Sequence, residues 1–152
     1  MSTQFLSKLQ LSSQTPLFEA DKRGRIQCPQ CKKNMKYFCY NCRKSLIPNI
    51  PSVTLPIECD IIHHPTEKVS KSTALTATIL SEQTNWIEFP SEIPNYNPND
   101  TLLLYPSPNA KKLSEVENLQ QYKRIVCIES VWQKAPVVVN HPIIAQLPRV
   151  GQ

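Results

Sequence analysis

From Ile57 onward, apolar residues come in short runs that change period. Ile57 to Ile62 is apolar and β-branched enough for a strand, and His63-His64-Pro65 ends it, since proline must stop or redirect a strand. Ser72 and Thr73 stand before Ala74-Leu75-Thr76-Ala77-Thr78-Ile79-Leu80, where a hydroxyl can cap a helix whose first N–H groups are free. Trp86 to Phe89 predicts a second strand, Leu102 to Tyr105 a central one and Ile125 to Ile128 a further buried one. Between the last two, Pro106-Ser107-Pro108 leads into a helical stretch through Leu113, Val116 and Leu119. Strands alternating with helices predict an α/β layer around a mainly parallel sheet. Such sheets carry their sites at strand ends, here Asp60 to Thr73, Tyr105 to Ala110 and Glu129 to Lys134.

The residues before Ile57 lack these runs. Phe5, Leu6, Leu9 and Leu11 predict one short amphipathic turn, and the segment to Ala20 has neither the long apolar core nor the basic leader of a secretory signal. No stretch approaches the length of a membrane span, so no membrane partner is expected. Pro48, Pro51 and Pro56 punctuate a stiff connector. The expected domains are an arm over 1–27, a metal-held knuckle over 28–47 and an α/β domain over 53–152. A chain of 152 residues with 40% hydrophobic content supports one modest core plus such an appendage, and not two full domains. With only two glycines, Gly24 and Gly151, a glycine-rich phosphate loop is excluded.

The chemistry of the knuckle follows from its cysteines. Cys28-Pro-Gln-Cys31 and Cys39-Tyr-Asn-Cys42 are separated by seven residues, and two such pairs can bring four thiolates to one tetrahedral ion. A redox pair, a disulfide framework and plain buried thiols are the competing readings. Two adjacent pairs argue against the first and the lack of a signal against the second, so structural zinc is expected. Lys32, Lys33, Asn34 and Met35 are read as the turn between the pairs. Cys59 and Cys127 are left as buried thiols.

Charge is unevenly placed. Residues 1–48 carry nine Lys and Arg against Glu19 and Asp21, whereas the remainder carries eight against ten acids, within a total of +5. Part of the basic end offsets the thiolates of the metal site, and the rest can meet phosphates. Lys32, Lys33 and Lys36, interleaved with Tyr37, Phe38, Tyr40 and Arg43, are the candidate RNA-binding residues, since aromatics can stack on unpaired bases. A merely solvated surface is the plain reading of the same lysines.

At the three strand-end loops the residues resemble the DTW-domain family. Asp60-Ile-Ile-His-His-Pro65-Thr66-Glu67 with Ser72-Thr73 is similar to its His-Pro-x-Glu segment, Leu103-Leu-Tyr-Pro-Ser-Pro-Asn-Ala110 to its second segment, and Glu129-Ser-Val-Trp132 to its Asp-x-Thr-Trp. An N-terminal cysteine cluster is also typical of that family. The resemblance implies a SPOUT-like α/β fold and an S-adenosylmethionine-dependent tRNA-uridine aminocarboxypropyltransferase of the eukaryotic D-loop branch, with tRNA as partner and a nuclear location, the cytoplasm being the other option. Such an enzyme moves the 3-amino-3-carboxypropyl arm to N3 of a uridine and releases methylthioadenosine.

Uridine N3 is protonated at neutral pH, so a base is needed. Glu129 stands at the family's aspartate and is the first candidate; Glu67 is the second, as base or as partner of the cofactor's amino group, its plain reading being a surface acid beside Lys68. The resemblance puts His64, Ser72, Thr73, Pro106 and Trp132 around the cofactor. The helix start at Ser72 and Thr73 offers N–H donors to the arm's carboxylate, and His63, His64 or Lys71 offers charge. Adjacent side chains on a strand point to opposite faces, so only one of His63 and His64 is expected to face the site. Trp132 reads first as a core aromatic, with stacking on adenine or a base as the other reading.

Three departures lower the expected activity: Glu129 for aspartate, Val131 for threonine, and an end at Gln152 where family members continue. That end predicts an incomplete sheet, an unpaired edge and little cover for Ile143, Ile144 and Leu147, to be met by a protein partner over the C-terminal edge. The alternative function is a non-catalytic zinc-knuckle RNA-binding or adaptor protein. A Cys-x-x-Cys oxidoreductase is a third reading, opposed by zinc holding the thiolates.

Overall fold

The computed structural model describes residues 12–151. The amphipathic turn expected at Phe5 to Leu11 lies outside them. The chain divides into two compact units, Met1–Ser52 and Val53–Gln152.

In the first unit, helix α1 (Thr15–Arg23) has a proline in its first turn and ends at Gly24, whose φ of 78° is open to glycine at little cost. Two small antiparallel hairpins follow, β1 (Ile26–Gln27) with β2 (Asn34–Met35) and β3 (Phe38–Cys39) with β4 (Lys44–Ser45). The expected turn over Lys32 to Met35 is therefore corrected. Lys32 takes a left-handed conformation that closes the first knuckle, and Asn34 and Met35 pair as a strand. Helix α1 is tied to the hairpins by polar contacts. Asp21 accepts from Lys36 and, at 2.8 Å, from the Tyr37 hydroxyl; Arg23 donates to the carbonyls of Lys36 at 3.0 Å and Leu46 at 3.2 Å.

The second unit is a six-stranded parallel sheet. Its strands are β5 (Glu58–His63), β6 (Thr84–Glu88), β7 (Thr101–Leu104), β8 (Lys111–Lys112), β9 (Arg124–Glu129) and β10 (Arg149–Gly151), in the spatial order β6-β5-β9-β7-β10-β8. Helix α2 (Ala74–Leu80) connects β5 to β6, while α3 (Ala135–Val139) and α4 (Pro142–Ala145) lie between β9 and β10. Period two sorts the side chains by face. Ile62, Ile87, Leu103 and Val126 form the core with Val138, Val139, Ile144 and Leu147. On the other face Ile61, Trp86 and Cys127 share a row, and Leu75 of α2 is fully buried.

Mixed α/β architecture and a parallel sheet are as the sequence reads. Three expectations are corrected. The helix through Leu113, Val116 and Leu119 is instead two 3-10 turns, Leu113–Glu115 and Leu119–Gln121, interrupted by the left-handed Asn118. Apolar residues three apart suit 3-10 turns, whose side chains eclipse at that interval. Ile144 and Leu147 are buried, at 0% and 3% exposure, because they pack with Val138 and Val139 on the sheet face that carries Ile62, Leu103 and Val126, so their cover comes from this chain rather than from a partner. Cys59 and Cys127 are half-buried rather than buried. They hydrogen-bond each other, which brings the Cys59 thiol down to about 7 and pushes Cys127 up.

One buried charge anchors the amino ends of the strands. Asp60 is 1% exposed and accepts from Arg124, from Asn85 Nδ2 at 2.8 Å and from the Tyr96 hydroxyl at 2.8 Å. Replacing it by alanine orphans three donors, one a cation. Asp60→Ala is therefore expected to lower unfolding free energy by about 3 kcal/mol in a urea titration, since Arg124 is partly exposed and regains water.

Candidate functional site

The two knuckles converge on one point. Each Cys-x-x-Cys sits at a hairpin end, and each is followed by a left-handed residue, Lys32 with φ 61° and Arg43 with φ 51°, that turns the backbone around the sulfurs. The four Sγ atoms of Cys28, Cys31, Cys39 and Cys42 lie within 4.8 Å of one another, and those of Cys31 and Cys39 are 3.4 Å apart. Four sulfurs at about 2.3 Å from a tetrahedral ion are about 3.8 Å apart, so the arrangement fits zinc. The Cys31 backbone N–H brings the Cys28 thiol down to about 6, whereas burial pushes Cys39 up and Cys42 up to about 12. A bound cation would reverse the last two, and with four protein ligands its part would be to hold the two hairpins together.

Among the candidate RNA-binding residues, Lys32 and Lys33 are exposed and no carboxylate pairs with them among the described residues. Lys36 is half-buried and pairs with Asp21, whose carboxyl it holds below the usual range by donating a hydrogen bond to it. Tyr37, Phe38 and Tyr40 are half-buried.

In the second unit the three segments meet at the carboxyl ends of the strands. The His64 N–H donates to the Glu129 carbonyl at 3.0 Å, continuing the β5–β9 ladder in which His63 faces Glu129. The Val131 N–H reaches Glu67 Oε1 at 3.4 Å, joining the first segment to the third. The Tyr105 and Trp132 rings, with centroids 6.2 Å apart, join the second to the third, and the Arg149 guanidinium lies 6.0 Å from the Tyr105 ring. Pro106 and Ala110 close on β10, where a Cβ added to Gly151 would meet both at 3.4 Å.

Glu67 and Glu129 are both half-buried. Glu129 has no side-chain hydrogen bond among the described residues, so its carboxylate can accept from a ligand. Trp132 is 69% exposed, which overturns the core reading. Its exposed ring forms a ledge beside Tyr105, tilted 48° to it, and the Trp132 face is free to stack on a heteroaromatic ring.

His63 and His64 are both buried and both engaged. His63 bonds Glu88 and the Glu67 carbonyl. His64 Nδ1 accepts from the Thr66 N–H at 3.3 Å, and its ring stacks on Phe89 at 5.8 Å. Ser72, buried, caps α2 by accepting the Leu75 N–H at 3.4 Å, while Thr73 is exposed and makes no side-chain cap. Sequence reasoning missed Glu88, Trp86 and Arg149. The first two sit in a predicted strand whose alternation was legible; Arg149 belongs to a strand too short to show a pattern.

A cavity of about 730 Å³ opens elsewhere, at the amino ends of β5, β7 and β9. Its charged lining is Glu58 and Lys123 alone, so it lacks the converging carboxylates of the other end.

Comparison with known proteins bears on these segments. Residues 25–151 match the DTW domain. The chain is 36% identical over 121 residues to tRNA-uridine aminocarboxypropyltransferase 1 of Xenopus laevis, covering 76% of this chain and 42% of that protein. It is 35% identical over 121 residues to the Xenopus tropicalis protein of the same name, covering 76% and 41%, and 36% identical over 118 residues to that of Mus musculus, covering 73% and 38%. The chain thus spans about two-fifths of the length of these relatives. No solved structure gives a significant match.

Proposed function

Because the chain belongs to the DTW-domain family, we propose that it is a tRNA-uridine aminocarboxypropyltransferase, or the part of one that holds the reacting groups, using S-adenosylmethionine as co-substrate. The observation that carries this reading is the convergence of Glu67, Glu129 and the Trp132–Tyr105 ledge at one end of a parallel sheet.

In this reading Glu129 takes the proton of uridine N3, because its carboxylate is otherwise unengaged. The N3 electron pair then forms a C–N bond to the arm's carbon beside the sulfonium. The C–S bond breaks, its pair returns to sulfur and neutral methylthioadenosine leaves. Glu67, held through Oε1 by the Val131 N–H, keeps Oε2 for the ammonium of the arm. Trp132 and Tyr105 take the adenine, with Pro106 beside them. Thr73 and the turn before α2 receive the arm's carboxylate, with Ser72 fixing that turn and His64 packed behind it. The zinc-held unit supplies cationic surface for tRNA phosphates, and the proposed location is the nucleus. The test is mass spectrometry of tRNA nucleosides from cells with and without the chain. Aminocarboxypropyluridine is expected only with it, and equal levels in a background without paralogues would remove the proposal.

The RNA contact makes its own expectation. Changing Lys32 and Lys33 to glutamate should weaken tRNA binding and flatten the salt dependence. Each lost phosphate contact lowers the slope of log K against log salt by about 0.9 for a duplex region, so the pair should remove up to about 2. An unchanged slope in filter binding assigns these lysines to solvation.

A further inference from the structure

Two residues of β6 reach the candidate site through one buried ring. His63 is 3% exposed, and acceptors fix both of its nitrogens. Nε2 lies 3.0 Å from the Glu67 carbonyl oxygen, which has no proton to give, so Nε2 donates. Nδ1 lies 2.8 Å from Glu88 Oε2. With Nδ1 bare and Glu88 ionised, two lone pairs would face each other at hydrogen-bond distance; a proton therefore lies between them. The other oxygen of Glu88 accepts from Trp86 Nε1 at 2.8 Å, and the His63 and Trp86 rings pack with centroids 4.8 Å apart. The relay runs from indole to carboxylate to imidazole and ends on the backbone of Glu67. That is the residue whose side chain takes the Val131 N–H.

We propose that Glu88 and Trp86 are positioning residues that act through His63, holding the Pro65–Glu67 turn so that the Glu67 carboxylate stays against the Val131 loop. The turn is closed internally by the Glu67 N–H on the His64 carbonyl at 2.9 Å and by the Thr66 N–H on His64 Nδ1, and the His63 bond adds the tie from the Glu67 carbonyl to β6. Both nitrogens of His63 are occupied, so the ring serves as a fastening rather than as a group that meets substrate. The proposal rests on the function proposed above only for what Glu67 does with the co-substrate.

The test uses the full chain. Nitrogen-15 NMR of the His63 ring in the unmodified protein is expected to show a proton on Nε2 and one shared at Nδ1; a bare Nδ1 overturns the proposal. Glu88→Met keeps the volume and removes the acceptor. Its Val131 amide is expected to exchange with solvent about tenfold faster, with Val126 in mid-strand unchanged, and its Kd for S-adenosylmethionine to rise about tenfold. Glu88→Gln should restore both within about threefold, because an amide N–H can bond a bare Nδ1 and leave Nε2 on the Glu67 carbonyl. Equal losses in Gln and Met, or none in Met, overturn the proposal. Should the Met variant fail to fold, Trp86→Phe removes the indole N–H together with part of the ring that packs on His63 and is expected to speed Val131 exchange about threefold, no change being the contrary result. If the unmodified chain does not bind S-adenosylmethionine, the functional reading fails while Val131 exchange still decides this one.

Discussion

Purified without chelator, the chain is expected to carry one zinc ion per molecule, and Cys39→Ser to carry none and lose the structure of residues 25–47. The reason lies in what else holds that unit. Among its described residues the buried apolar side chains are Ala20, Cys28, Cys39 and Ile47, so half of its interior is ligand sulfur. Structural zinc contributes about 10–16 kcal/mol of apparent binding free energy at neutral pH, far beyond what one alanine and one isoleucine supply. Cys39 is fully buried and its sulfur also accepts the Cys42 N–H at 3.4 Å, so serine loses both the ligand and a filled site. Binding must expel protons from Cys39 and Cys42, whose thiols are raised, so affinity is expected to fall as pH falls. Elemental analysis with amide NMR of residues 25–47 reads the result. Well under one zinc in the unmodified chain would sink the idea.

On the proposed function, Glu129→Gln is expected to lower aminocarboxypropyl transfer by at least about 100-fold, the usual reach of a general base, while S-adenosylmethionine binding stays within a few-fold. Glutamine keeps the shape of the side chain at the end of β9 and loses only its ability to take a proton, so the strand ladder to His63 and His64 is untouched. Glu67→Gln should show the opposite split, weakening co-substrate binding more than turnover. Single-turnover assays with calorimetry separate the two. Transfer at the original rate in the Glu129 variant would pass the role of base to Glu67 or to water.

The parts of the fold legible in the sequence are those whose pattern is local and long. Strands β5, β6, β7 and β9 each have four to six residues with a clear apolar run, and α2 falls where its hydroxyls and alanines place it. The cysteine pairs are legible because metal geometry restricts their spacing. What escaped depends on tertiary pairing. β10 has three residues and β8 two, too few for a period, and α3 and α4 are single turns with Pro136 second in one and Pro142 first in the other. Trp132 was misread because a tryptophan beside a buried strand is more often inside, and only the structure shows it standing 69% exposed. Glu88 and His63 could be seen in the sequence but not joined, since a contact between neighbouring parallel strands leaves no spacing to read.

The position of β10 bears on how the sheet is assembled as the chain leaves the ribosome. Arg149–Gly151 lies between β7 and β8, and among the described residues β8 pairs with no other strand. A chain translated only as far as Ala145 already has four adjacent strands, but Lys111 and Lys112 have nothing to bond. The last gap closes when residues nearly forty positions apart in translation meet, a late and costly loop closure. Until then the Leu103–Leu104 edge of β7 stays open to any extended segment nearby, so the nascent domain is most exposed to mispairing in the interval before residue 149 emerges.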